Sequence, residues 1–224
     1  MRVADRRDAR HAVPVTYGPD DFQRDILVSR ETREALETHL NLLLRWAPRI
    51  NLVGPGQLDG YWQRHALDCA QLLALAPGAK TWIDLGSGAG FPGLVLACCL
   101  IGVEGASVDL VESNSKKAAF LREAIRATGA PARVRAMRSE DAAAEGGRYD
   151  VVTARAFAPL ARILEDASAF LQNGAIGLFL KGESIDTELQ EAGERWALAY
   201  EILPSRSDPR GRILRVDGAE RGSA

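Results

Sequence analysis

Cysteine is scarce in this chain, three residues in 224, and two of the three are adjacent (Cys98 and Cys99). That excludes a disulfide framework and a C-x-x-C metal site, and no metal is expected. The adjacent pair sits in the apolar run L-V-L-A-C-C-L-I, which reads as a helix with core thiols. Aromatic residues make up only 6% of the chain, so no aromatic platform for stacking single-stranded bases is visible. Long apolar stretches are missing as well: none approaches the ~20 residues needed to cross a bilayer. No signal-type segment is recognisable either, and a cytoplasmic protein is expected. Net charge is close to absent at −2, which decides nothing about nucleic acid, because a neutral protein can carry a local basic patch. What remains is ordinary globular material, 46% apolar and 26% charged, long enough for one α/β domain with additions.

The most informative stretch runs from Trp82 to Gly93, W-I-D-L-G-S-G-A-G-F-P-G. An apolar strand, a glycine turn and an apolar helix from Leu94 to Ile101 form a nucleotide-binding βα unit. The turn needs glycine because a Cβ would keep a ligand away from the backbone. Gly88, Gly90 and Gly93 satisfy the dinucleotide pattern G-x-G-x-x-G, while Asp84, Gly86, Gly88 and Gly90 satisfy D-x-G-x-G-x-G, which resembles the first motif of S-adenosylmethionine-dependent methyltransferases. The flanks favour the second. Asp84, at the strand end, is expected to face the ligand, where an acid repels a pyrophosphate and attracts a cationic sulfonium. The next strand, Ser107 to Val111, ends in Glu112, placed to accept hydrogen bonds from ribose hydroxyls. Ordinary turn and cap roles for both acids are the plainer alternative. Ser87 and Ser113, beside these acids, complete the candidate cofactor positions.

In chain order, residues 1–18 are basic and without hydrophobic periodicity, and are expected to form a flexible tail. Residues 19–78 read as a helical cap: Pro19 to Ala47 with a break near Ser29, then a helix from about Asp59 to Ala76. Residues 79–218 read as the α/β core, with 219–224 as a second tail. In the core, a helix capped by Asn114 runs to Thr128 before Gly129. Strands follow at 133–137, 149–154, 175–180, 198–203 and 211–216, with helices at 160–171 and 184–196 between them. This alternation predicts one doubly wound domain. Arg155 and Lys181 follow the fourth and fifth strands, at the carboxyl edge where such sheets bind ligands.

Two regions bear on a partner. Between Lys116 and Arg138 there are seven basic residues against one acid, a local charge of +6; it is either a solvated face or a surface for a phosphate backbone, with Lys116 and Lys117 nearest the cofactor elements. In the cap, Ile50-Asn51-Leu52-Val53 and Arg64-His65-Ala66-Leu67-Asp68 look chemical. Asp68 lies one helical turn from both Arg64 and His65 and could orient either; a satisfied structural histidine is the plainer reading of His65.

D-L-G-S-G-A-G-F-P-G, then L-V-E-S-N-S-K-K-A-A-F-L-R-E, Y-D-V-V-T-A-R-A-F-A-P-L and L-K-G together resemble the RsmG (GidB) family, over roughly residues 31 to 216 and in the same motif order. N-L-V and R-H-A-L-D-C match its N-L-T and R-H-x-x-D-S segments, with Val53 and Cys69 replacing the usual threonine and serine. The resemblance implies a class I, Rossmann-like methyltransferase fold with a mostly parallel seven-stranded sheet. It implies methyl transfer from S-adenosylmethionine to guanine N7 in small-subunit (16S) ribosomal RNA. It maps Gly86, Phe91, Ser139, Glu140 and Arg155 onto cofactor positions. The residues agree. Guanine N7 carries a free lone pair and needs alignment rather than a general base. The fourth strand is followed by A-R-A-F rather than an N-P-P-Y-like tetrapeptide, and all three cysteines lie elsewhere in sequence, so none is expected at that edge for ring-carbon chemistry. Arg155 and Lys181 are expected to position a flipped guanine, with Asn51, Arg64, His65, Lys116 and Lys117 on the RNA side. The partner is expected to be 16S RNA or the 30S particle, and the protein a monomer. A small-molecule methyltransferase would have no use for the +6 stretch. A nicotinamide oxidoreductase is disfavoured by Asp84 and by the lack of a hydride-transfer pair.

Overall fold

The computed structural model describes residues 17–54 and 56–222. Residues 1–16 of the expected N-terminal tail lie outside them.

Local signals account for most of the elements. Ser29 accepts from the Thr32 amide to start α2 (Arg30–Trp46), which follows α1 (Pro19–Ile26). The expected single helix from 59 to 76 is instead irregular: a 3₁₀ turn at Gln57–Gly60, a π-helical segment at Tyr61–Leu67, one α turn at Asp68–Ala70 (α3) and a further 3₁₀ stretch at Gln71–Leu75. Then β1 (Thr81–Leu85) and α4 (Gly93–Cys99) enclose the glycine turn. After β2 (Ser107–Val111), the Asn114 side chain accepts from the amides of Lys116 and Lys117 to start α5 (Ser115–Thr128), and Gly129 ends it in the left-handed region at φ +67°. Strand β3 (Ala132–Arg135) is shorter than expected, because the chain turns into α6 (Ser139–Glu145), a helix the sequence pattern does not announce. The rest is β4 (Val151–Arg155), α7 (Leu160–Gln172), β5 (Ile176–Lys181), α8 (Ile185–Gly193), β6 (Trp196–Pro204) and β7 (Arg212–Arg221). Residues 219–221, expected in a tail, pair with β6, with Arg221 opposite Trp196.

The seven strands lie in the order β3-β2-β1-β4-β5-β7-β6. Five are parallel, and β7 is antiparallel to both β5 and β6. The connections that leave β1 and its neighbour β4 run in opposite directions, to β2 and to β5, so a crevice opens between their carboxyl ends. Alternating side chains fill two cores. Trp82, Val108, Leu110 and Leu178 face a cluster that also holds Phe22, Leu36, Leu43 and Tyr61 from the N-terminal helices. Ile83, Leu85, Val152 and Phe179 face Leu160, Ile163 and Phe170 of α7 on the other side.

One polar link joins the N-terminal helices to the glycine turn, and a second ties two of those helical segments to each other. His39 is fully buried on α2; its Nε2 lies 2.8 Å from the Ala89 carbonyl oxygen and its Nδ1 3.1 Å from the Tyr61 hydroxyl. The neutral ring that donates from Nε2 and accepts at Nδ1 fits both. Burial pushes its pKa down to about 4. At Gly93 the backbone of α4 approaches the sheet so closely that an added Cβ would sit 2.4 Å from Leu110 Cδ2 and 2.7 Å from Asp84 Cβ.

Two outcomes follow from these contacts. Gly93→Ala, a change that ordinarily favours a helix, should destabilise the protein by about 2 kcal/mol through overpacking, read as a lower Tm. Because the native pKa of His39 lies below its ordinary value, the stability it confers is present above pH 6.5 and is lost as pH falls towards 4; the loss should reach about 2 kcal/mol at pH 5. His39→Gln should be less stable at pH 7 but show a shallower decline between pH 7 and pH 5 in urea titrations.

Candidate active site

The carboxyl ends of β1 to β4 surround a cavity of about 430 Å³, within the range of small-molecule sites. Its walls include Gly86 and Gly88 from the turn, Glu112 and Ser113 after β2, Ser139 and Glu140 at the start of α6, and Phe157 after β4. Lys117 and Arg162 stand at its rim. Gly86 has φ +71°, and a Cβ there would lie 2.2 Å from the Phe157 ring. Both Glu112 oxygens accept from backbone amides, Oε2 from Gly88 at 2.9 Å and Oε1 from Asn114 at 2.7 Å. The carboxylate thus holds the turn while keeping lone pairs for further donors. Ser139 donates to Asp166 at 2.6 Å, leaving its own lone pairs as acceptors. Asp166 also accepts from Arg162 at 3.2 Å, and Arg162 reaches Glu140 at 3.0 Å. Acceptor groups, a carboxylate at the β2 end and open backbone at Gly88 suit an adenosine-bearing cationic cofactor, whereas Gly86 is glycine because the Phe157 ring packs on it.

A second cavity, about 440 Å³, adjoins the first across Ala156, which borders both. Ala156 has φ +47°, a left-handed conformation that costs a residue with a Cβ about 1 kcal/mol. Arg64, Asp68, Arg155, Lys181 and Arg210 line this second space. Lys181 Nζ is 2.5 Å from Glu188 Oε2 and donates to the Ala158 carbonyl at 3.4 Å. Glu188 also accepts from the Leu160 amide, and these donors outweigh its desolvation and hold its pKa below the usual value. Arg155 donates to the Arg64 carbonyl at 3.1 Å, lies 3.6 Å from Asp68, and stands 5.5 Å from the centre of the Phe91 ring.

Several residues singled out from the sequence stand elsewhere. Asp84 does not face a ligand: it is fully buried, accepting from the Gly93 amide at 3.1 Å and from the Thr153 hydroxyl at 3.0 Å. Burial pushes its pKa up to about 7. Ser87 is also buried and donates to the Asp84 carbonyl, so it fastens the turn. Phe91 is buried beneath the N-terminal helices, stacked on His65 with centroids 4.5 Å apart. His65 is only 5% exposed, so it offers no surface to RNA. Its Nε2 donates to the Gln57 carbonyl at 2.9 Å, and burial followed by the nearby Arg155 lowers its pKa to about 4. Asn51 borders a separate apolar groove with Leu44 and Val53. Lys116 is exposed on the first turn of α5, outside the cavity lining.

The basic run is divided by the fold. Arg133 makes a two-point pair with buried Asp109 at 2.6 and 2.8 Å, and Arg135 pairs with Glu145. Lys116, Lys117 and Arg138 have no ion pair among the described residues. Cys69, far from the fourth strand in sequence, does reach its edge, 3.6 Å from Arg155, but burial raises its thiol and that of Cys98 to about 12, which keeps both protonated. No group of three or more His, Cys, Asp or Glu that could hold a metal occurs among the described residues, and no helix there is long and apolar enough to cross a membrane. His39 and Asp166 escaped the sequence reading; the available signal was a polar residue on the apolar face of an amphipathic helix.

The family described as GidB, rRNA small subunit methyltransferase G, matches residues 32–206. The ribosomal RNA small subunit methyltransferase G of Rhodospirillum rubrum is 54% identical over 199 residues, covering 88% of this chain and 96% of the relative. Its counterpart in Methylobacterium radiotolerans is 52% identical over 190 residues, covering 84% and 89%. Among solved structures, the fold resembles an O-methyltransferase from Bacillus cereus in complex with S-adenosylhomocysteine (SAH), with a TM-score of 0.59, 18% identity and coverage of 88% and 96%. It also resembles Aeropyrum pernix fibrillarin with bound S-adenosylmethionine, with a TM-score of 0.51, 17% identity and coverage of 69% and 75%. These likenesses place the sheet among class I methyltransferase folds, and the sequence matches place the chain itself in the rRNA small subunit methyltransferase G (GidB) family.

Proposed function

We propose that this enzyme transfers a methyl group from S-adenosylmethionine to N7 of a guanine in 16S ribosomal RNA, using the two adjoining cavities as cofactor and base sites. The observation that carries the arrangement is their meeting at Ala156, between a carboxylate-lined pocket and one lined by Arg155 and Lys181. When bound, S-adenosylmethionine supplies an electrophilic methyl: the N7 lone pair takes the methyl carbon, the carbon–sulfur pair stays on sulfur, and positive charge passes to the base with no proton moved.

Glu112 would accept from the ribose hydroxyls while holding Gly88, and Ser139 and Glu140 would flank the adenine. Gly88 lets the cofactor approach the backbone, and Gly86 lets the turn pack beneath Phe157 at the cavity wall. Arg155 and the remaining donor of Lys181 would grip the Hoogsteen-edge acceptors of a flipped guanine. Their ion pairs with Asp68 and Glu188 keep the site from becoming strongly cationic as the base gains charge. Lys116, Lys117 and Arg64 would meet phosphate, a contact that salt weakens. The N-terminal helices would act as a cap over the base side. We read the protein as a cytoplasmic monomer acting on free 16S RNA or the 30S particle.

Labelled S-adenosylmethionine with hypomethylated 16S RNA, naked or in 30S particles, should place label in 7-methylguanosine at a single site. Label in another nucleoside, or none in either RNA form despite cofactor binding, would sink the reading. Arg155→Ala should lower turnover by about 100-fold. Glu112→Ala should weaken cofactor binding by at least about tenfold in calorimetry, through loss of the ribose acceptor and of the turn's anchor.

A further inference from the structure

One carboxylate connects three separate parts of the second cavity. Asp68 forms part of α3, directly after the π-helical segment, with its side chain 15% exposed. Its Oδ1 accepts from Ser207 Oγ at 2.6 Å, from Ser205 Oγ at 3.1 Å and from Gln71 Nε2 at 3.1 Å. Its Oδ2 lies 3.6 Å from Arg155 Nη1. Ser205 and Ser207 open the loop between β6 and β7, and that loop places Asp208 and Arg210 at the cavity. The same loop is tied to the N-terminal helices a second time, where Gln71 Oε1 accepts from the Arg206 amide at 2.8 Å.

We propose that Asp68 is the positioning residue of the acceptor site: its carboxylate fixes the Arg155 guanidinium and the β6–β7 loop in one arrangement, and keeps that cation paired while positive charge develops on the base. The proposal rests on Arg155 serving the acceptor as described above. Two features support it. All the polar partners of Arg155 among the described residues, Asp68, the Arg64 carbonyl and the Cys69 sulfur, come from one short helical segment, so its placement depends on that segment. The division of labour between the two oxygens also matters: Oδ1 serves the loop and Oδ2 serves the cation. A free guanidinium next to a base becoming cationic would oppose the reaction, whereas a paired one donates hydrogen bonds without adding net charge.

Asp68→Asn separates the two duties, because its side-chain oxygen can still accept from the serines but carries no charge. The full-length protein would be assayed with labelled S-adenosylmethionine and hypomethylated 16S RNA, with Tm and cofactor affinity measured in parallel. Asp68→Asn is expected to lower kcat by more than about fivefold per folded molecule while cofactor affinity stays within about twofold. Asp68→Glu, which keeps the charge, should retain more activity than Asp68→Asn. In an Arg155→Ala background, Asp68→Asn should cost nothing further. Turnover of Asp68→Asn within about fivefold of wild type per folded molecule, whatever its Tm, would reduce Asp68 to a structural joint and overturn the proposal. So would independent, multiplying losses in the double variant. If Arg155→Ala alone turns over normally, the role of Arg155 itself fails, and that result is distinct from the others.

Discussion

The buried Asp84 carboxylate is the contact on which the rest of this molecule depends. It lies near the end of β1, beside β4, where the direction of the crossovers reverses, and it joins three elements: β1 itself, the first amide of α4 and the Thr153 hydroxyl of β4. A buried carboxylate is costly unless hydrogen-bonded, and here its partners come from the two neighbours that define the crevice. The glycine turn is therefore strung between fixed points. Ser87 bonds the Asp84 carbonyl, Gly88 bonds Glu112 just after β2, and Ala89 receives His39 from the N-terminal helices. Cofactor approach needs this turn rigid and bare, and the hydrogen bonds supply the rigidity that its glycines lack.

Charge around the two cavities follows the same logic. The arginines of β3 are neutralised by Asp109 and Glu145, away from the ligand edge, so two of the seven basic residues in that run stabilise the sheet instead. At the second cavity, Arg155 and Lys181 each face a carboxylate. A reaction that turns a neutral base into a cation is better served by paired donors than by a strongly positive pocket. Lys116, Lys117 and Arg138 keep their charge at the cofactor side, where an RNA backbone can use it.

The fold was legible because its signals are local. Strand and helix periods alternate, Asn114 and Gly129 bracket a helix, and glycines mark the turn. The site was legible in part. Glu112, Ser139 and Arg155 follow strand ends, and in a parallel sheet every such end reaches the same edge. Residues were misjudged where burial, which the local pattern does not report, decides the role. Asp84 and His65 have chemistry suited to ligands, but packing turned both inward. The end of β7 was hidden because Asp217, Gly218 and Glu220 interrupt its apolar alternation, although the backbone ladder continues.

By itself the sequence determined the order of the strands, most of the helices between them, the glycine turn and the family, since each depends on residues close together in the chain. Tertiary structure decided which charges are free and which are held. Arg133 meets Asp109 across 24 positions and Ser207 meets Asp68 across 139. An ion pair or hydrogen bond forms wherever folding brings donor and acceptor within about 3 Å, and chain separation carries no trace of that distance.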